Sequence, residues 1–126
     1  MKGLNIKITD STKFDKPSLE IEHPIVKESG EGMQKFWRYK NGYGASIVRF
    51  NIASMLPSFK DGKLEKIGSY GVNEGLWELA VIKFIENGYV LCYDTKITSD
   101  VVGYLTEKQV EEYLRKIKML KAGQKK

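Results

Sequence analysis

The chain has 126 residues, 41% hydrophobic and 29% charged, with one cysteine and one histidine. That length fits a single domain with its own buried core; the lone Cys92 excludes an internal disulfide framework, and one Cys with one His falls short of the ligand set of a structural zinc. The net charge of +5 is unevenly spread: residues 31–66 and 106–126 each carry seven basic and three acidic side chains, residues 67–105 carry two and five, and residues 1–30 are balanced.

Two basic regions are a candidate footprint for a polyanion, although a lysine-rich solvated surface gives the same count. The opening Met-Lys-Gly-Leu-Asn-Ile-Lys-Ile lacks the apolar h-region of a signal peptide. No apolar run approaches the ~18 residues of a membrane span, so a cytoplasmic location away from membranes is expected.

In chain order, Leu4-Asn-Ile-Lys-Ile-Thr9 alternates with period two and reads as a strand. Residues 10–18 are polar and read as a loop. Leu19-Glu-Ile-Glu22 alternates again, and His23-Pro24 marks it as an edge strand or a broken one. Ser29-Gly-Glu-Gly32 is a turn.

Gln34 to Phe50 holds the first hairpin, because Asn41-Gly42 between alternating segments is a strong short-range hairpin signal. With those two residues as the turn, Lys40 pairs Tyr43 and Phe36 pairs Ile47. Lys35, Trp37, Tyr39, Gly44, Ser46, Val48 and Phe50 then form the core face. Phe36, Arg38, Lys40, Tyr43, Ala45, Ile47 and Arg49 form the outward face.

Residues 51–66 connect onward. Ile52 to Leu56 could make one helical turn before Pro57, Asp61-Gly62 marks a tight turn, and Met55, Leu56, Phe59 and Leu64 bring apolar area that either packs on the sheet or awaits a partner. Gly68-Ser-Tyr-Gly-Val-Asn-Glu-Gly75 is glycine-rich, but it lacks the Gly-Lys-Ser/Thr ending of a phosphate loop and leads into a strand. The second hairpin runs from Leu76 to Thr95 and turns at Asn87-Gly88; both its faces are largely apolar, as in a strand pair covered on two sides.

The C-terminal helix is the clearest element. Thr106 is its N-cap and Gln109 completes a capping box. Val110, Tyr113, Leu114, Ile117 and Leu120 follow at helical spacing, and Arg115, Lys116, Lys118 and Lys121 complement the helix dipole. Residues 119–126 read as a frayed basic tail, with Gly123 as a C′ candidate. One helix covers one sheet face, so the second face needs the N-terminal strands, the 51–66 loop or another subunit, which makes a homo-oligomer an open alternative to a monomer. The expected fold is therefore α+β: one domain over residues 1–126, an antiparallel sheet of about four to six strands with two Asn-Gly hairpins, packed against one C-terminal amphipathic helix.

Chemistry is thinly signalled. No spacing links His23 to a nucleophile, and Cys92 on an apolar strand face is a small hydrophobe. Asp94, Thr95, Thr98, Ser99 and Asp100 are oxygen-rich, which hard cations favour, but Asp and Thr side chains that accept backbone N–H bonds at strand exits explain them more simply. No catalytic residue, metal site or cofactor is expected. The most suggestive surface is Arg38, Lys40 and Arg49 interleaved with Phe36, Tyr43 and Ile47, since single-stranded nucleic-acid platforms combine cations with stacking aromatics; long basic side chains also simply cover exposed sheets.

Three blocks carry a resemblance. They are Gly42-Tyr-Gly-Ala-Ser-Ile-Val-Arg49, Trp77-Glu-Leu-Ala-Val81, and Tyr93-Asp-Thr-Lys-Ile-Thr-Ser-Asp-Val-Val-Gly-Tyr-Leu-Thr-Glu107. In this order before a short amphipathic helix, they resemble a family of small uncharacterised accessory proteins encoded by tailed phages and prophages. The likeness spans roughly residues 36–120, and Asn51 to Lys66 and part of the N-terminal region depart from it as extra segments. It implies a non-enzymatic protein that works inside a bacterial host by stoichiometric binding to a host protein, such as antagonism of a defence system of the CRISPR-effector kind. It brings no catalytic residues.

The contact candidates are Arg38, Lys40, Tyr43, Arg49, Met55, Leu56, Phe59, Arg115 and Lys118. A small nucleic-acid-binding protein using the basic face and the helix end is the alternative. A nucleotide-binding oligomer, a signal sponge with its pocket near Tyr70, Asn73, Asp94 and Asp100, is a further one.

Overall fold

The computed structural model describes residues 6–8, 10–22, 32–50, 58–60, 63–65, 69, 72–93, 95, 97 and 101–121. Among these described residues, eight strands and one α-helix follow in chain order: β1 (Leu19–Glu22), β2 (Gly32–Arg38), β3 (Tyr43–Phe50), β4 (Ser58–Lys60), β5 (Lys63–Glu65), β6 (Trp77–Ile85), β7 (Gly88–Leu91), β8 (Val102–Leu105) and α1 (Glu107–Lys118). A six-stranded antiparallel sheet has the order β1-β2-β3-β6-β7, with β8 also on β6, and β4 with β5 makes a separate two-stranded sheet. This is the α+β arrangement expected from the sequence. Among the described residues no helix is long and apolar enough to cross a membrane.

The helix forms where its pattern places it. Thr106 accepts from the Gln109 backbone N–H, and Gln109 Oε1 accepts from the Thr106 N–H, so the capping box satisfies two donors at once. Val110, Leu114 and Ile117 are fully buried against the sheet. Each such side chain contributes about 1.5–3 kcal/mol relative to an exposed position. Leu120 is buried too, unlike a frayed tail that starts at residue 119; residues 122–126, Gly123 among them, lie outside the described part.

The first hairpin corrects the expected register. Phe36 pairs Ser46 and Trp37 pairs Ala45. Tyr39 N–H donates to the Tyr43 carbonyl and Gly42 N–H to the Tyr39 carbonyl, so the loop is Lys40-Asn41-Gly42, one residue longer than a two-residue turn. Gly42 alone in that loop has a positive φ, +89°, as in the three-residue connection that follows a type I turn with a left-handed glycine.

A one-residue change of register turns one strand's side chains to the opposite face relative to its partner. Met33, Lys35, Trp37 and Tyr39 therefore share the helix side with Tyr43, Ala45, Ile47 and Arg49. Gln34, Phe36 and Arg38 share the other side with Gly44, Ser46 and Val48. At Gly44 a Cβ would run into the Trp37 carbonyl oxygen and the Phe84 ring, so this crossing requires glycine.

The second hairpin forms with a shifted turn. Ile85 pairs Gly88 and Phe84 pairs Tyr89, which makes Glu86-Asn87 the loop. Its strand ends at Leu91 rather than Thr95. β8, not foreseen, pairs β6 through Trp77 with Leu105 and Leu79 with Val102, with one extra residue on β8. Tyr104 in that bulge has a φ of 59°, a strained backbone for a bulky side chain.

Both faces of the sheet are covered, as the double-sided pattern required. The helix side holds the main core, including Phe14, Trp37, Ile47, Trp77, Leu79, Val81 and Cys92 with the helix residues. The other side holds Phe36 and Ile82 under Ile6, flanked by Leu19, Ile21, Phe84 and Tyr89. Residues 6–8 are not in a strand, so the expected N-terminal strand is, where described, a segment that seats Ile6; Leu4, Asn5 and Thr9 lie outside the described residues, as do His23, Pro24 and the expected turn at 52–56.

The side chain of Asn41 joins the first hairpin to the helix. Its Nδ2 donates to the carbonyls of Ile117 at 2.9 Å, Lys118 at 3.2 Å and Leu120 at 2.8 Å, and its Oδ1 accepts from Tyr43 N–H at 2.9 Å. The carbonyls of Ile117 and Lys118 are among the last four of α1, beyond the reach of its own i+4 bonds, and that of Ile117 also accepts from Leu120 N–H at 3.1 Å. Asn41→Ala is expected to lower stability by about 1–3 kcal/mol, whereas Asn87→Ala, in the other Asn-Gly pair, costs under about 1 kcal/mol; urea unfolding of both variants checks this.

Candidate functional site

The corrected register separates the cations of the first hairpin. Arg38 lies on the face away from α1, with its guanidinium 5.0 Å from the Phe84 ring centroid and Nη1 donating to the Ile6 carbonyl at 3.2 Å. Arg49 lies on the helix side, 4.3 Å from the Trp77 ring centroid, with Nη1 donating to the Gly75 carbonyl at 3.0 Å. Tyr43 is buried in the main core. Phe36 and Ile47 are buried as well, on opposite faces. The expected stacking platform is therefore not assembled: its aromatics are inside, and its two arginines clamp opposite sides of the sheet.

A different basic surface is assembled instead. Lys40 sits in the β2–β3 loop with an exposed side chain, its Nζ 3.9 Å from Asp10 Oδ2. The next residue, Asn41, bonds the last carbonyls of α1. Lys40 is thereby held at the helix end whose last turn carries Arg115, Lys116 and Lys118. Lys83 pairs Tyr43 on the helix side of the sheet and is exposed. Lys40 of the first basic region thus meets the basic end of the second, where the partial negative charge of the helix C-terminus favours cations. An exposed pair such as Lys40–Asp10 is worth only about 0–1 kcal/mol, so a stronger anion can displace Asp10.

Sequence reasoning missed how Asn41 and Lys83 contribute to this end. The Asn-Gly pair signalled a turn and carried no sign that the asparagine side chain would be used elsewhere. Lys35 was placed beside Trp37, and it is there: Nζ lies 3.9 Å from the Phe14 ring centroid and 5.7 Å from that of Trp77, and 3.6 Å from Glu20 Oε1. Lys35 and Arg49 together bracket Trp77, a cation–π arrangement that keeps both charges at the margin of the core. Phe14 is fixed over them by its own N–H, which donates to Glu111 Oε2 at 2.9 Å.

The remaining candidates are not gathered here. Met55, Leu56, Tyr70, Asp94 and Asp100 lie outside the described residues. Phe59 falls in β4 and Asn73 in the short 3-10 turn Val72–Glu74, and their side chains are outside the described part. Thr95 is buried and its Oγ1 accepts from Ile97 N–H at 3.2 Å, the strand-exit role expected of it. Cys92 is buried in the core. No group of three His, Cys, Asp or Glu side chains placed to hold a metal occurs among the described residues.

Tyr39 is the one described residue with a resolved titration shift. Its hydroxyl donates to the Ser11 carbonyl at 2.7 Å. Burial, with a smaller push from the Asp10 carboxylate, holds its pKa well above the ordinary tyrosine value. It is a neutral donor that ties the 10–15 segment to the sheet.

No known protein family, curated protein or solved structure matches this chain.

The Tyr39 environment sets an alkaline limit. Above about pH 10 the unfolded chain releases the phenolic proton while the folded one retains it, so the unfolded state binds fewer protons and stability falls as pH rises, by up to about 1.4 kcal/mol per pH unit. Urea midpoints measured from pH 9 to 11.5 should fall more steeply for the native chain than for Tyr39→Phe.

Proposed function

We propose that this protein is a non-enzymatic binding protein that engages an acidic surface of a bacterial host protein through its basic end. The observation that carries the reading is the Asn41 bridge, which seats the Lys40 loop against the end of α1 that bears Arg115, Lys116 and Lys118. A surface of this kind attracts its partner over roughly a Debye length, about 10 Å at moderate salt, and gains most of its specificity from charge complementarity.

The resemblance of the Gly42–Arg49, Trp77–Val81 and Tyr93–Glu107 blocks to tailed-phage accessory proteins supports a host factor as the partner and the interior of the host cell as the place of action. Antagonism of a defence component, of the CRISPR-effector kind, fits such a protein. A small nucleic-acid-binding protein is the second reading, favoured by the same convergence of lysine and arginine, because phosphates are the commonest ligand of clustered cations. Among the described residues nothing favours the nucleotide-pocket alternative.

The test is capture from host lysate by the immobilised protein, with and without nuclease, alongside the double variant Lys40→Ala, Lys118→Ala, its fold checked by circular dichroism. A single host protein retained after nuclease and bound about tenfold more weakly by the double variant is the expected result. Retained material that vanishes with nuclease, and whose affinity falls steeply between 50 and 200 mM salt, replaces this reading with the nucleic-acid one. Equal retention by the native and variant proteins removes the basic end from the contact.

A further inference from the structure

The two edges of the large sheet differ in chemistry. β1, at one edge, exposes Glu20 and Glu22, a charged edge of the sort that resists further pairing. β7, at the other, reads Gly88-Tyr-Val-Leu91 and carries no charge and no proline. Its side chains are exposed on both faces: Val90 is 45% exposed on the helix side and Leu91 51% exposed on the opposite side, with Ile85 at 51% before the turn. Nothing in this strand protects it from pairing.

The hydrogen-bond phase of that edge follows from its inner neighbour. Phe84 N–H donates to the Gly42 carbonyl, toward β3, and Cys92 N–H donates to the Val81 carbonyl, toward β6. Backbone groups alternate in direction along an antiparallel strand. Gly88, Val90 and Cys92 therefore face β6, while the N–H and C=O of Tyr89 and Leu91 face away from the sheet. Two adjacent outward residues of one phase, separated by Val90, make a self-complementary template.

We infer that β7 pairs with β7 of a second copy of this chain across a two-fold axis at Val90. In that register Tyr89 of each copy lies opposite Leu91 of the other, and each of these two pairs exchanges two N–H···O=C bonds. Val90 meets its own copy on the axis as a non-hydrogen-bonded pair, the closer of the two kinds, at about 4.5 Å between Cα atoms. Moving the axis onto Tyr89 leaves one fully bonded pair inside the strands, so the Val90 axis satisfies more edge groups.

The side chains agree with the backbone. On the helix side Val90 packs on Val90. On the other side each Leu91 reaches the partner's Tyr89, whose ring already stacks 5.4 Å from that of Phe36 and 6.4 Å from that of Phe84. A strand without charge meets its copy with no like-charge penalty. A four-residue strand is a small contact beside the ~800 Å² per partner of standard interfaces, so the dimer forms reversibly. Of the basic end only Lys83, the β6 partner of Val90, lies beside this contact; the pairing uses none of Lys40, Arg115, Lys116 and Lys118, and the dimer is independent of whether the proposed host partner is right.

Sedimentation equilibrium from about 5 to 500 μM tests the inference. The expected mass rises from 14.4 kDa toward twice that value with concentration. Val90→Lys, which sets two charges against each other on the axis of an exposed site, should hold the mass at the monomer value throughout. In a Cys92→Ser background, Val90→Cys should yield a disulfide-linked dimer on mild oxidation, because Cα atoms about 4.5 Å apart lie within disulfide range. Ile85→Cys, equally exposed and off the axis, should remain largely unlinked. A monomer at every concentration overturns the inference. So does a dimer that Val90→Lys leaves intact, or one that Ile85→Cys links as readily as Val90→Cys.

Discussion

The arrangement of this molecule depends on the side chain of Asn41. It stands in a three-residue loop, and its amide reaches the last carbonyls of the helix while its oxygen holds the Tyr43 N–H. The loop length sets the parity of the first hairpin, and parity decides which side of every β3 residue meets α1. With this parity Tyr43, Ala45 and Ile47 lie under the helix, and the small Ala45 sits beside the large Trp37. The same amide docks the helix end on the sheet, so a local turn and a long-range contact are settled by one residue.

The distribution of charge follows from that choice. Arg49 is drawn to the helix side and lies over Trp77, with Lys35 on the same ring. Arg38 is left on the far side over Phe84, where it also holds the segment of Ile6. These cations cover aromatic surface with their stems and planes. Lys40, in the loop itself, belongs to neither face and joins the cations at the end of α1. The sheet edges divide similarly, with acidic side chains on β1 and none on β7.

Several elements were legible from local pattern. The α1 helix was, because the Thr106–Gln109 capping box and the spacing of Val110, Leu114 and Ile117 agree with each other. The faces of β6 were too, because a nine-residue strand with Trp77, Leu79 and Val81 on one side leaves little freedom. β8 was not, since four residues containing a glycine give too short a period. The first hairpin was half legible: the β2 face with Trp37 and Tyr39 was assigned to the core and is there, while β3 was turned over. Its two sides, Tyr43-Ala45-Ile47 and Ser46-Val48-Phe50, are nearly equal in apolar content, so alternation alone could not orient it. The platform of Arg38, Tyr43 and Arg49 rested on that orientation and went with it.

The sequence by itself determined the α+β class, the two Asn-Gly hairpins though not the added β4–β5 pair, the helix with its cap, and a second sheet face in need of cover. These depend on contacts between residues near one another in the chain, where period and turn chemistry act directly. Only the tertiary structure decided the hairpin register, the burial of Tyr43, the separation of Arg38 from Arg49, and the meeting of Lys40 with the basic end of α1. Each of these depends on the bonds from Asn41 to Ile117, Lys118 and Leu120, partners more than seventy residues away, and an Asn-Gly pair carries the same local signal whether or not its side chain finds them.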